Sequence, residues 1–573
     1  MHPKKIELSK NWKVKYYFAF HEGQNSGLKA KELKGLNLPE FWFDLPPLSK
    51  VVYQNRFILQ NEYRYLQLYF DRLECTAEIK INNNKIYQHS GNRDNFSIDI
   101  KHHINIGSEN LLTIITKPDG LDGRVMGRIS LLESDEKIEP PINYHKQKAI
   151  KPPKWLDDCI IYELYIRAFD QDGDFQAVIQ KLDYLQELGI NCIWLMPIFP
   201  IGLKRRKGSQ GSPYAIKDFK EINPKYGSAQ DFRKLVDKAH SRGVKVILDI
   251  ACNHTAWDNE LIEKKPDWFS QDENGEIVQP GNTDWSDVAD LDYNNSEVRE
   301  YMLEVLLYWV EEFDIDGFRM DVAEFVPLDF WEKVFKEMKK IKPQPLMLAE
   351  GDHPQLHASA FHLSYGWNTR LSLLRILNYN QSAKAFQKVV EHEQKVYPKN
   401  TLKMRFTENH DLERSRKIFG KGESKLAALL CFTIPGVPMV YTGQELGASH
   451  KPSLFEKDPV DWSQVDRELL KFYKTLIEVR KQNQLLAKGK IRFLENSQEN
   501  VAISFFRDDE SDQLLIVANT LDYGLDIDIY TKNLIKVHQL DRILGNSVIY
   551  QIQDGKITMQ IPVYGFGVYQ IND

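Results

Sequence analysis

Apolar and polar positions alternate in short runs up to about residue 135. RYLQLYFDR (Arg64–Arg72) alternates residue by residue, TAEIKINNNKIYQHS (Thr76–Ser90) reads as two strands around an asparagine turn, and NLLTIITK (Asn110–Lys117) is another strand. Short alternating runs at regular spacing predict a β-sandwich over residues 1–135. The pattern then lapses. EPPINYHKQKAIKPPK (Glu139–Lys154) is rich in proline and lysine without periodicity, so residues 136–154 are expected to form a linker.

From Trp155 the grammar becomes strand, helix, strand. CIIYELYI (Cys159–Ile166) is apolar, with β-branched and aromatic residues, and the amphipathic stretch FQAVIQKLDYLQELG stops at Gly189. Strand-like runs recur as NCIWLMP (Asn191–Pro197), VKVILDI (Val244–Ile250), DIDGFRMD (Asp314–Asp321), PLMLAEGD (Pro345–Asp352), FHLSYGW (Phe361–Trp367), MRFTENHD (Met404–Asp411) and GVPMVYTG (Gly436–Gly443). Eight such strands, mostly separated by helical segments, predict a (β/α)8 barrel over residues 155–485 with an insertion after the third strand. Alternation returns in VAISFFRD, QLLIVANT, GLDIDIY, KITMQIP and GFGVYQI, which predicts an all-β domain over residues 486–573. The expected fold class is α/β: a barrel flanked by an N-terminal β-sandwich and a C-terminal all-β domain.

Composition adds mainly exclusions. The 573 residues are 42% hydrophobic, enough for several cores. The net charge of −6 comes from interspersed acids and bases, without the clustered basic face that nucleic acid requires. KRRK (Lys204–Lys207) reads as a solvated loop. No stretch approaches the ~18 uninterrupted apolar residues of a membrane span. Five scattered cysteines, several inside apolar runs, read as buried free thiols, which suits a reducing compartment. MHPKKIELSKNWKVKYY lacks the apolar core of a signal peptide, so the expected location is cytoplasmic.

Polar residues gather at the strand ends, where a barrel of this type carries its active site. Asp249 ends the third strand, with Asn253 and His254 just beyond. Arg319 and Asp321 end the fourth, Glu350 the fifth, and Asn409, His410 and Asp411 the seventh. One aspartate at a strand end is commonly a helix cap; four strands ending this way point to a site. Residues i and i+2 of a strand share a face, so Arg319 is expected beside Asp321, lowering its pKa as a carboxylate nucleophile requires. A less solvated Glu350 opposite, holding its proton, would complete the acid–nucleophile pair of a retaining glycosidase. Asp411 would be a third carboxylate stabilising positive charge on the sugar, and His254 and His410 would donate to ring hydroxyls.

DIACNH (Asp249–His254), GFRMD (Gly317–Asp321), LAEGD (Leu348–Asp352) and TENHD (Thr407–Asp411) resemble, in order and spacing, the four sequence regions of the α-amylase family of glycoside hydrolases. GINCIWLMPIF, VADLDY (Val288–Tyr293) and YTGQELG (Tyr441–Gly447) add to the likeness, which spans residues 155–573. The resemblance implies Asp321 as nucleophile, Glu350 as general acid/base and Asp411 as transition-state stabiliser. It places His254, Arg319 and His410 around the reacting sugar, Tyr214 of GSPYAIKDF beneath it, and Asp249 behind Arg319. The implied reaction is retaining cleavage of α-glucans (maltooligosaccharides, cyclodextrins, starch fragments) through a covalent glycosyl-enzyme. Transglycosylation by the same residues is the alternative, and a non-catalytic sugar-binding protein a third reading that the intact carboxylate triad disfavours.

Some positions depart from the family pattern. The Lys and His that often follow the nucleophile by three and four residues are Glu324 and Phe325 here, and DVAEFV resembles more the cyclomaltodextrinase and neopullulanase branch. Asn253 matches a calcium-ligand position, and Phe325 stands where the family has a histidine that ligates calcium through its backbone carbonyl; no cofactor is expected to be required. DQDGD (Asp170–Asp174) reads as a solvated turn with oxygen ligands to offer. The N-terminal YLQLYFDRLECTAEIKINNNKIYQHSGN resembles the sugar-binding jelly roll of β-galactosidase-type enzymes. Such a domain is expected to bind sugar, to pack on the barrel, or to support a homodimer.

Overall fold

The computed structural model describes residues 4–8, 12–22, 25–36, 48–73, 75–90, 95–117, 129–139, 142–281, 283–510, 512–531, 539–553 and 555–572. Pro140 and Pro141 of the expected linker lie outside the described residues, as do Glu74, Gly91 and Asn92 of the jelly-roll-like stretch. The chain divides into two compact bodies: residues 1–148, 353–355 and 367–400 form one, and residues 149–352, 356–366 and 401–573 the other.

The first body holds two antiparallel sheets and the helices Trp367–Tyr379 and Lys384–Val396. One sheet orders Lys4–Glu7, Ile129–Ser134, Tyr65–Phe70 and Phe96–Asp99. The other orders Asn25–Leu36, Trp12–Glu22, Leu48–Ile58, Glu109–Lys117, Thr76–Ile81 and Asn84–Ser90. Alternation sends Leu66, Leu68 and Phe70 of one sheet and Ala77, Ile79 and Ile81 of the other into a shared core. Asn82 and Asn83 turn the last hairpin with φ of 51° and 68°, the left-handed pair whose twist matches two-residue β-hairpins.

The second body contains the closed parallel barrel: β1 Ile161–Leu164, β2 Cys192–Leu195, β3 Lys245–Ala251, β4 Gly317–Asp321, β5 Leu346–Ala349, β6 Leu363–Tyr365, β7 Leu402–Arg405 and β8 Val437–Tyr441, with β8 pairing back onto β1. Its strands are covered on both faces, so they read as apolar runs without alternation. Asp174 caps the helix Phe175–Leu188 by accepting from Ala177 N at 2.8 Å, and Gly189, at φ 94°, stops it. Gly317 opens β4 at φ 144°, where a Cβ would lie 2.0 Å from the Leu346 carbonyl oxygen. Only glycine lets β4 and β5 approach this closely. β7 ends at Arg405, so Asn409, His410 and Asp411 stand on the loop beyond it, and Glu350 stands one residue past β5.

Two further antiparallel sheets follow in the same body. Lys490–Phe493, Ala502–Asp508, Gln513–Asn519, Phe566–Asn572 and Gln539–Gly545 form one; Glu495–Asn496, Leu525–Tyr530, Lys556–Ile561 and Val548–Gln553 form the other. Phe506, Leu515, Val517, Ile527, Ile529, Ile557 and Met559 fill the core between them. All five cysteines are buried. No described helix is long and apolar enough to cross a membrane.

Candidate active site

The i, i+2 geometry of β4 brings Arg319 and Asp321 together: Arg319 Nη1 donates to Asp321 Oδ1 at 2.7 Å and to Asp249 Oδ1 on neighbouring β3 at 2.8 Å. Its Nη2 lies 2.8 Å from Glu350 Oε2, an ion pair without hydrogen-bond alignment, and its Nε donates to the Tyr365 hydroxyl at 3.1 Å. One fully buried guanidinium therefore ties together side chains from β3, β4, β6 and the end of β5. Val322, next in the chain, takes a left-handed conformation (φ 36°) that a β-branched residue rarely adopts, and its N–H donates to Glu350 Oε2 at 2.9 Å.

A second cluster adjoins this one. His410 Nδ1 donates to Glu163 of β1, while its Nε2 lies 2.8 Å from the Tyr214 hydroxyl and 3.2 Å from Asp411 Oδ2. The Tyr214 hydroxyl donates to Asp249 Oδ2 at 3.1 Å, as does Trp194 Nε1. Tyr214 stacks on His410, with ring centroids 5.6 Å apart. His254 gives its Nε2 proton to the Tyr214 carbonyl at 3.1 Å, and burial holds its pKa down to about 4. The ring is neutral, and its donor is already committed, in contrast to the expected donation to a sugar hydroxyl.

Electrostatics here are set by burial first. Burial pushes the Asp321 carboxyl well up; Arg319 opposes this, and Glu350 and Asp249 add to it. The expectation that Arg319 would lower the Asp321 pKa is thus reversed, chiefly by burial, with Glu350 and Asp249 adding to it. Asp249 and Glu163 are raised by burial as well. His410 moves the other way: burial disfavours its charge, but Asp411 and Glu163 raise it to about 9. Five carboxyl groups (Glu163, Asp249, Asp321, Glu350, Asp411) thus gather around two cations, Arg319 and His410.

Asp321, Glu350, Asp411, Tyr214, His254 and His410 line a pocket of about 180 Å3. Arg319 and Asp249 bond to the lining side chains of Asp321 and Tyr214 without lining the pocket themselves. Lys207, Trp285 and Phe455 line the pocket without a sequence signal, and Glu163 stands behind it. Lys207, in the run read as a solvated loop, reaches the pocket and pairs with buried Asp287 at 3.1 Å. Trp285 sits between His254 and Phe325, its ring 5.7 and 5.8 Å from theirs. Phe455 closes another side. Buried Glu163 was the one acid within CIIYELYI, the only mark the sequence offered. Glu324 turns to accept from Asp352 N at 2.6 Å. Asp170 closes its own turn by accepting from Gly173 N at 2.9 Å.

The fit to calcium is poor. Asn253 is buried with neither side-chain polar atom hydrogen-bonded, but it offers a single neutral oxygen. Calcium takes about six to eight oxygens, usually several from carboxylates. Among the described residues no group of three His, Cys, Asp or Glu side chains could hold an ion.

A carboxylate-lined pocket over the C-terminal ends of a closed parallel barrel defines an enzyme of the barrel-hydrolase type. The model of the alpha-amylase catalytic domain matches residues 167–465. A maltogenic alpha-amylase of Bacillus acidopullulyticus is 30% identical over 486 residues, covering 73% of this chain and 82% of that protein. A cyclomaltodextrinase of a Bacillus species is 27% identical over 448 residues, 68% of this chain and 79% of that one. The crystal structure of a noncanonic maltogenic alpha-amylase from Thermotoga neapolitana aligns with a TM-score of 0.67 at 31% identity, covering 73% of this chain and 100% of that one. The chain belongs to the α-amylase family and is a glycoside hydrolase. The matched catalytic domain begins at residue 167, so it lends no support to the jelly-roll likeness of the N-terminal sheets.

Proposed function

We propose that this protein cleaves α-glucosidic bonds in maltooligosaccharides, cyclodextrins and starch fragments with retention of configuration. Similarity to a maltogenic amylase and a cyclomaltodextrinase supports the substrate class. One observation carries the mechanism: a single guanidinium holds both Asp321 and Glu350. That arrangement favours the close carboxyl spacing of retaining enzymes, about 5–5.5 Å, over the roughly 6.5–9.5 Å that leaves room for an attacking water.

In its ionised form, paired with Arg319, Asp321 attacks the anomeric carbon while Glu350 gives its proton to the leaving oxygen, and a glycosyl-enzyme ester forms. Glu350 then takes a proton from water, whose oxygen displaces Asp321 and restores the α configuration. Arg319 stabilises Asp321 as its charge returns. Asp411, the most exposed of the three acids, faces the pocket and stabilises the positive charge of the oxocarbenium-like transition state. Tyr214 offers a flat face beneath the sugar.

The experiment is turnover of maltoheptaose, β-cyclodextrin, pullulan and soluble starch by the wild type and by Asp321→Asn. Short α-glucan products from the wild type are expected, with turnover in the variant down by at least about a thousandfold and sugar binding retained. Products longer than the starting oligosaccharide would mark transfer instead, and an Asp321→Asn variant as active as the wild type would overturn the assignment.

A further inference from the structure

We propose that Glu163 is a positioning residue for this reaction: its buried carboxylate fixes the direction of a hydrogen-bond chain running through His410, Tyr214 and Asp249 to Arg319 and Asp321. The inference rests on the retaining reading above. Glu163 lies in β1, fully buried, and does not line the pocket.

The argument is one of donors and acceptors. Glu163 as a carboxylate only accepts, so His410 Nδ1 must carry a proton. At the far end Asp249 also only accepts, taking Arg319 Nη1 on Oδ1 and the Tyr214 hydroxyl on Oδ2. Tyr214 therefore spends its proton on Asp249, and its oxygen receives one from His410 Nε2 at 2.8 Å, a nearer donor than Arg319 Nη1 at 3.5 Å. With an acceptor at each end, the imidazole between them carries both protons and is a cation.

The charged and titratable groups around His410 agree. Glu163 comes from β1, Asp249 from β3, Arg319 from β4, Asp411 from the loop after β7, and Tyr214 from the loop after β2; the edge of Trp194 on β2 packs against the ring. Burial and Arg319 oppose the charge, while Asp411 and Glu163 outweigh them. Were His410 to lose its Nε2 proton, Tyr214 would turn its hydroxyl to that nitrogen and leave Asp249 Oδ2. The support beneath Arg319, and so beneath Asp321, would loosen.

The test is Glu163→Gln in the full chain. A glutamine oxygen still accepts from Nδ1–H, so the variant removes charge while keeping shape. Ring-nitrogen NMR of histidine-labelled protein, with His410 assigned by its loss in His410→Gln, reads the proton state without substrate and so independently of the hydrolase reading. The wild-type ring is expected doubly protonated at about pH 7, titrating at about 9. In Glu163→Gln the midpoint falls by about one unit or more, and the alkaline limb of kcat/KM on maltoheptaose falls with it, while activity at about pH 5 stays within about threefold. A neutral His410 in the wild type at about pH 7 overturns the proposal, even if the variant fails to fold. So does a variant that titrates like the wild type, or one that loses activity equally at every pH.

Discussion

Replacing Arg319 with lysine keeps the charge and removes the fork. In the structure the guanidinium contacts Asp249 and Asp321 through Nη1, Glu350 through Nη2 and Tyr365 through Nε, at 2.7–3.1 Å. A lysine ammonium is a single point on a flexible stem and cannot meet groups on three sides. Contact with at least two of the three acids is lost. Hydrogen bonds to charged groups contribute about 1.5–3 kcal/mol each, so the loss is about 3–6 kcal/mol. If those contacts act chiefly in the transition state, kcat falls about 10²–10⁴-fold at roughly 1.4 kcal/mol per decade. The assay is initial-rate hydrolysis of maltoheptaose alongside a thermal melt. The melt should fall too, because carboxylates are left buried with less compensation. A variant that keeps kcat within about threefold of the wild type would refute the view that the fork organises the acids.

Lys207→Met should raise KM on maltoheptaose about tenfold with kcat within about threefold, because it removes an ammonium that faces the pocket and pairs with buried Asp287; an unchanged KM contradicts this. Asp316 sits at the opposite end of the barrel strands, accepting from His240 Nε2 at 2.6 Å and from Val246 N at 2.9 Å, with Lys245 and Lys342 beside it. Burial alone would raise its pKa, but His240 and Lys342 bring it down to about 2. A depressed carboxylate stabilises the fold above its ordinary pKa and loses that contribution as pH falls through about 2. Asp316→Asn should therefore cost about 2 kcal/mol in urea unfolding at about pH 6, by a gap that narrows towards about pH 3; equal stability at pH 6 contradicts it. Dialysis against EDTA should leave the thermal midpoint and turnover unchanged, and a loss restored by calcium would contradict the poor fit of Asn253.

Much of the barrel was legible because its eight strands are short apolar runs between helices with strong caps, such as Asp174 and Gly189. The polar strand ends stood out against those runs. Less visible were groups whose role depends on tertiary approach. Glu163 is one acid in an apolar strand, and only the fold places His410 over it. Lys207 is one base in a basic loop, and only the packing of the long insertion after β3 brings Asp287 to it. The Asp321 shift runs against the sequence expectation for a similar reason: Arg319 stands two residues away in the sequence, but the burial that outweighs it comes only with the fold. His254 was expected to donate to substrate, yet the backbone of Tyr214 takes its proton.

The most direct test of the account is proton NMR of the anomeric region during the first minutes of maltoheptaose hydrolysis, before mutarotation scrambles the products. Attack by Asp321 followed by attack of water inverts the anomeric carbon twice, so the account predicts that the newly formed reducing ends appear as α anomers and drift later towards equilibrium. New reducing ends appearing first as β anomers would mean a single displacement by water, and would contradict both the nucleophile assignment and the role given to the shared guanidinium.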